Sequence, residues 1–184
     1  MILFTADTHF GHANIIRFCD RPFTDIKAMN ETLIANWNRK VTNSDTVYIV
    51  GDMFFRCLNA EEILKRLKGK KRLITGNHDS TWMKSVALDK YFLSVNQYLE
   101  TTDGQHTITL CHYPLLSWNH QRKGYMIHCH IHNDRSMDFW PLLAARSNVL
   151  NAGCDINGFT PVTFDELLEN NARFKQIAAE RGSA

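Results

Sequence analysis

Thr46-Val47-Tyr48-Ile49-Val50-Gly51-Asp52 is a β-branched and aromatic run that stops abruptly on a glycine and a carboxylate. A short apolar run bounded by turn formers reads as a buried strand rather than a helix. The same grammar recurs along the chain. Ile2-Leu3-Phe4-Thr5-Ala6 leads into Asp7-Thr8-His9, and Arg72-Leu73-Ile74-Thr75 into Gly76-Asn77-His78-Asp79. Thr107-Ile108-Thr109-Leu110-Cys111 leads into His112, and Tyr125-Met126-Ile127-His128 approaches His130-Ile131-His132. Every histidine/aspartate motif therefore begins where a strand ends. In layered α/β sheets, ligand sites lie beyond the carboxyl ends of the strands. If these strands are neighbours, their terminal residues converge.

Helical segments alternate with the strands. Residues 25–40 align Ile26, Met29, Leu33 and Trp37 on one face, with Thr24 available as N-cap. Residues 60–68 follow Asn59 as cap, carry Glu62 in the first turn and stop at Gly69. A Thr163/Glu166 capping box opens a helix from Phe164 to about Arg181, with Phe164, Leu167, Leu168 and Ile177 inward and Asn171 interrupting the stripe. Residues 93–112 read as a hairpin turning on Asp103-Gly104, and Asn148-Val149-Leu150-Asn151 as a further strand. Helix-connected strands thus precede antiparallel-looking ones. This order predicts an α/β (α+β) sandwich of two mixed β-sheets flanked by helices, as a single domain over residues 1–184.

Composition bounds the function. The 184 residues suffice for one core without disulfide staples, and 44% hydrophobic with 22% charged residues is ordinary for a globular chain. A net charge of +2 implies no polyanion partner from global electrostatics. The basic run Lys65-Arg66-Leu67-Lys68-Gly69-Lys70-Lys71-Arg72 reads as a solvated helix end and turn. Five cysteines, widely spaced and without Cys-x-x-Cys, point to reduced thiols in a cytoplasmic setting rather than a disulfide framework or thiolate zinc site. The N-terminus enters a strand with no basic region before it, unlike a signal peptide, and no apolar run approaches the ~20 residues of a membrane span.

The motifs supply the chemistry. Carboxylate, imidazole and amide ligands drawn from five separated places suit a dinuclear hydrolytic centre. His130-x-His132 puts two imidazoles on one side of an extended strand. As an ordered set, Asp7-x-His9, Gly51-Asp52, Gly76-Asn77-His78-Asp79, His112 and His130-x-His132 resembles the calcineurin-like metallophosphoesterase superfamily over residues 7–132. Asp7-Thr8-His9-Phe10-Gly11-His12 and His112-Tyr113-Pro114-Leu115 are similar to a small, compact bacterial or phage branch. One departure stands out: Cys129 occupies the place of the family's glycine before His-x-His.

The resemblance implies a first metal held by Asp7, His9, Asp52 and His132, and a second by Asp52, Asn77, His112 and His130, with Asp52 bridging. It implies that His78 faces the substrate, hydrogen-bonding the phosphate or protonating the leaving oxygen, with Asp79 orienting it from behind. The implied reaction is hydrolysis of phosphate esters by a hydroxide shared between two divalent ions. Manganese is favoured, with iron, nickel or zinc also suited to the ligand set. Without a long insert between motifs the cleft should be open, which favours a phosphodiester over a monoester, including a nucleotide or nucleic-acid end. Two other classes compete. A non-enzymatic scaffold on this fold would have shed its catalytic histidine, whereas His78 is retained. An oxygen-activating di-metal protein would show a Glu/His helical-bundle pattern. Around the motifs, His12 is expected to touch the substrate phosphate, support the site or make a structural hydrogen bond, His128 to support the site, and Arg17, Arg21 and Arg56 to be solvated or to steer an anion. Trp118, Asn119 and His120 are a possible substrate rim, His106 an exposed strand residue, and Asp155 a turn residue or a support from a neighbouring loop.

Overall fold

The structure, a computed structural model, describes residues 1–181, with side chains through residue 176. Eight strands form two four-stranded sheets. The first contains β1 (Ile2–Thr5), β2 (Thr46–Val50), β3 (Lys70–Ile74) and β4 (Phe92–Asn96), in sequence order and parallel throughout. The second contains β5 (Tyr98–Thr102), β6 (Thr107–Cys111), β7 (Tyr125–His128) and β8 (Val149–Asn151). Here β5 and β6 are antiparallel, while β6, β7 and β8 run parallel. The expected two-sheet sandwich flanked by helices is present, with mixed strand directions in the second sheet alone.

Alternation along each strand explains the layering. In the first sheet Leu3, Val47, Ile49 and Leu73 face an outer core, while Phe4, Tyr48, Val50 and Ile74 face the second sheet. Ile108, Leu110, Ile127 and Leu150 meet them from the second sheet, and Met126 and Val149 point away to an outer cluster with Trp140, Leu143 and Phe174. Period-two side-chain alternation makes such a double-faced sheet out of near-continuous apolar runs. Helices α1 (Ala13–Phe18), α2 (Ile26–Lys40) and α3 (Ala60–Arg66) all contribute to the first outer core. The short helices α4 (Asp79–Trp82) and α5 (Trp140–Ala144) precede α6 (Phe164–Arg181), which packs its first turns against the inter-sheet core through Phe164 and Leu167.

Several local expectations need correction. Residues 92–96 leave the proposed hairpin: they pair with β3 in the first sheet, and only Gln97 separates them from β5. The true hairpin spans residues 98–111, and its loop is shaped by Asp103 Oδ1 accepting from the amides of Gln105 (2.9 Å) and His106 (2.7 Å). Asp25, not Thr24, caps α2, accepting from the Ala28 amide at 2.8 Å. Asn59 precedes α3 but makes no capping bond; its side chain accepts from the Cys57 thiol instead. The Thr163/Glu166 box forms as expected, with the Thr163 amide donating to Glu166 at 2.8 Å and the Glu166 amide to Thr163 Oγ1 at 3.4 Å. Asn171 interrupts the apolar stripe for a reason. It is buried, and it bonds both the amide and the carbonyl of Asn151, tying α6 to β8. The inward reading of Ile177 lies outside the described side chains. Within the basic run, Lys71 is buried on β3 rather than solvated.

Candidate metal centre

Every motif sits where its strand ends. Asp7 follows β1, Asp52 follows β2, and Asn77 follows β3; His112 follows β6, while His130 and His132 follow β7. The first sheet therefore supplies the carboxylates, His9 and the amide, and the second sheet supplies three imidazoles. The backbone at these positions is unusual: Asp7 (φ 50), His9 (φ 49), Asp52 (φ 50), His130 (φ 71) and His132 (φ 51) all lie in the left-handed region. Non-glycine residues adopt it rarely and at a cost of order 1–3 kcal/mol each, and such strain clusters at functional sites. His130 and His132 thus occupy a strained turn, not an extended strand, and β7 stops at His128.

The turns close tightly enough to require glycine twice. A Cβ on Gly51 (φ 91) would stand 2.3 Å from His112 Nδ1, and one on Gly76 would stand 2.2 Å from Asp52 Oδ1. The two loops are then stitched together by Asp79. Its buried carboxylate accepts from the amides of Asp52 (2.9 Å), Met53 (2.9 Å) and Gly76 (2.8 Å), and from the Trp82 indole at 2.7 Å. The expectation that Asp79 orients the His78 ring is replaced by this backbone role: the carboxylate holds Asp52 and the Gly76 turn in register.

The side chains converge. Asp7, His9 and His132 bring one ligand atom each within 4.8 Å of one another, and so do Asp7, Asp52 and His112. Asp52 Oδ2 lies 3.6 Å from His9 Nε2 and 3.5 Å from His112 Nε2, between the two groups. Asn77 Oδ1 lies 3.1 Å from His112 Nε2. The ring of His130 stands 5.2 Å from that of His112 and 4.7 Å from Tyr113. Two ligands each ~2.1 Å from one cation are about 3–3.5 Å apart, so most of these spacings suit shared ions.

Buried atoms without partners make the same point. Asp7 Oδ1 and both ring nitrogens of His9 are buried and unbonded, which costs ~1–3 kcal/mol per group unless something fills the gap. Desolvation pushes the Asp7 carboxyl up and the His9 imidazole down to about 2, so His9 offers a neutral lone pair. Asp52, despite burial, is held at about 2 by its hydrogen bond to His112 and by neighbouring imidazoles. These residues fit divalent cations: oxygen and neutral nitrogen donors, no obligatory thiolate, and orphan atoms facing inward.

Outer contacts fix the ligands. His112 Nδ1 donates to the Val50 carbonyl (3.0 Å) and His132 Nδ1 to Asp155 (3.0 Å), so in each ring Nε2 is the atom that would face an ion. Arg21 is buried, contrary to the solvated reading. It holds Asp155 at 2.7 and 3.1 Å and donates to the carbonyls of Asp7 (2.7 Å) and Thr8 (3.0 Å), clamping the left-handed turn. Asp155 is accordingly a support of the site. Cys129 fits without glycine's freedom, since its φ is not positive. Its thiol donates to Asp7 Oδ2, as does the His130 amide at 3.1 Å, which reserves Oδ1.

His78 stands apart as the accessible imidazole, with 38% of its side chain exposed and its amide donating to Asp52 at 2.8 Å. It opens into a cleft of about 580 Å³ that His9, His12, His130 and His132 also line. His12 stacks on Phe55 at 4.0 Å. His128 is buried, its Nδ1 donating to the Cys129 carbonyl at 3.0 Å, and burial lowers it to about 4. Trp118 does not form a rim: it is buried in the outer cluster of the second sheet. His106 is no free strand residue either, stacking on Phe164 at 4.1 Å. What sequence reasoning missed was the Arg21 clamp; its only trace was an arginine close after the first motif.

Residues 1–175 match the family model described as calcineurin-like phosphoesterase. An uncharacterized protein of Methanocaldococcus jannaschii is 33% identical over 171 residues, covering 91% of this chain and 89% of that one. The Gene 66 protein of Mycobacterium phage D29 is 28% identical over 161 residues, covering 72% and 78% respectively. A crystal structure of a protein of unknown function from Aquifex aeolicus superposes with a TM-score of 0.72 at 25% identity, covering 92% of this chain and 98% of that chain. No helix among the described residues is long and apolar enough to cross a membrane. On the family match, the chain belongs to the calcineurin-like phosphoesterases and is a phosphoesterase hydrolase.

Proposed function

We propose that this protein hydrolyses phosphodiesters at a dinuclear metal centre, with Asp7, His9, Asp52 and His132 holding one ion and Asp52, Asn77, His112 and His130 the other. The observation that carries the reading is Asp52 Oδ2, 3.6 Å from His9 and 3.5 Å from His112, in the position of a bridge. Two divalent ions, manganese being the favoured pair, supply an activated water and positive charge against the phosphate when bound. The chain's own residues do the rest. Asp79 and Arg21 keep the two ligand turns in place, and His78, exposed at the cleft, donates a proton to the departing ester oxygen.

A diester is preferred over a monoester because the centre is flanked twice. Beyond His9, His78 and His132 lies the main cleft, and beyond Asn77 and His112 lies a second hollow of about 450 Å³ at Tyr98 and Tyr113. Each can take one ester arm. The five free thiols suit a reducing, cytoplasmic setting. The test is turnover of aryl phosphate mono- and diesters by the manganese-loaded protein. Faster hydrolysis of diesters is expected; absent turnover on every ester, with metal bound, would overturn the proposal.

A further inference from the structure

The wall of the main cleft away from the metal centre is aromatic and cationic, and the chemistry described so far makes no use of it. Phe18, on the last turn of α1, is 62% exposed at the rim. Phe55 projects from the loop after Asp52 and stacks on His12 at 4.0 Å, and its ring meets His78 edge-on at 5.0 Å. Arg17 lies over the Phe18 ring at 5.5 Å and Arg56 over the Phe55 ring at 5.3 Å. Phe18 lies outside the core, and beside a polar cleft, with Phe55 and two guanidinium groups next to it, its ring suits a partner with a flat apolar face and negative charge.

The spacing sets the size of that partner. From the His9 ring, one step of 5.5 Å reaches His12 and a further 6.1 Å reaches Phe18. These steps cap the His9–Phe18 separation, a span that a phosphate at the metal centre, one sugar and a planar group against Phe18 would fill. The rim also carries an edge-reading group: Asn14 is exposed, lines the cleft, and makes no side-chain hydrogen bond among the described residues. Arginines beside the rings add cation–π attraction and offset the charge of the phosphate chain.

We infer that the Phe18–Phe55 wall is a nucleobase subsite, so that the substrate is a nucleotidyl phosphoester with its base stacked there. This rests on the phosphoesterase reading and deepens it. Water adds to phosphorus, the P–O bond to the departing alcohol breaks, and that oxygen takes a proton, leaving a nucleotide monoester and a free alcohol. Base–aromatic stacking tolerates any base, because each presents a π-face; selectivity among bases falls to Asn14.

The experiment is calorimetric binding to manganese-loaded protein of adenosine 5′-monophosphate and of methyl phosphate, which share the phosphate and differ in the base. Adenosine 5′-monophosphate should bind about tenfold tighter, the effect of one base–aromatic contact. Phe18→Ala, at an exposed site that does not threaten folding, should remove most of that advantage and leave methyl phosphate unchanged. Phe55→Ala should act in the same direction. Equal affinity of the two ligands overturns the base subsite while leaving the phosphate site standing, and so does a preference that survives both substitutions. Failure of both ligands to bind, with the metal present, sinks the phosphoesterase reading and the subsite with it.

Discussion

Replacing Arg21 by methionine tests the clamp that shapes the first ligand turn. The guanidinium is buried and pairs with an equally buried Asp155, while two of its donors serve the carbonyls of Asp7 and Thr8. Breaking a buried pair by removing one partner costs roughly 3–5 kcal/mol, because the remaining charge is stranded. Here His132 stays within 3.0 Å of Asp155 and softens that loss, so the low end applies, about 3 kcal/mol. For a chain of this size each kcal/mol moves the midpoint by ~2–4 °C, which predicts a fall of about 6–12 °C in thermal unfolding. The assay is scanning calorimetry at pH 7 in chelator, so that metal binding does not mask the effect. A double variant, Arg21→Met with Asp155→Leu, should recover much of the stability but not the affinity for manganese, since His132 and the Asp7 turn lose their supports. A loss below 1 kcal/mol for Arg21→Met alone would refute the clamp.

Three further outcomes follow from the same contacts. His78→Ala should bind manganese as the native protein does while losing about 10²–10⁴ in kcat; full activity in that variant removes the proton-donor role. Cys129→Gly takes a donor from Asp7 Oδ2 and should weaken metal binding about tenfold by isothermal titration, whereas Cys129→Ser should retain it. Lys71 is depressed to about 8 by burial, against 10.5 when exposed. The unfolded chain then binds more protons between about pH 8 and 10, so stability rises with pH across that window. Lys71→Met should be the more stable protein at pH 7, by on the order of 2 kcal/mol, and should lose that rise in urea titrations at pH 7.5 and 9.5.

Much of the architecture was legible because each strand carries its own signal. Val47 and Ile49 against Tyr48 and Val50 declare two buried faces, and Gly51-Asp52 declares the stop. The ligand motifs were legible for the same reason, being fixed in position by the strand ends. What failed involves partners far away in sequence. Residues 92–96 look like one arm of a hairpin, since nothing local reveals that the chain changes sheets at Gln97. Arg21 looks like a surface arginine, since its carboxylate partner lies 134 residues later. Asp79 looks like a companion to its neighbour His78, but its carboxylate is consumed by amides on the Asp52 loop. The left-handed turns at His130 and His132 also escape a reading that takes His-x-His as extended strand.

The two sheets contribute unequally but jointly to the ligand set: carboxylates from one, most imidazoles from the other. A cation seated among them would act as a rivet through the sandwich, resisting any sliding of one layer over the other. Deuterium uptake at the ends of β1, β2, β6 and β7 should slow together when manganese is added, on elements that share few residues in sequence but share the rivet. Each proposed ion draws ligands from both sheets, so the complete site, and with it the chemistry, would form only once both have folded and docked.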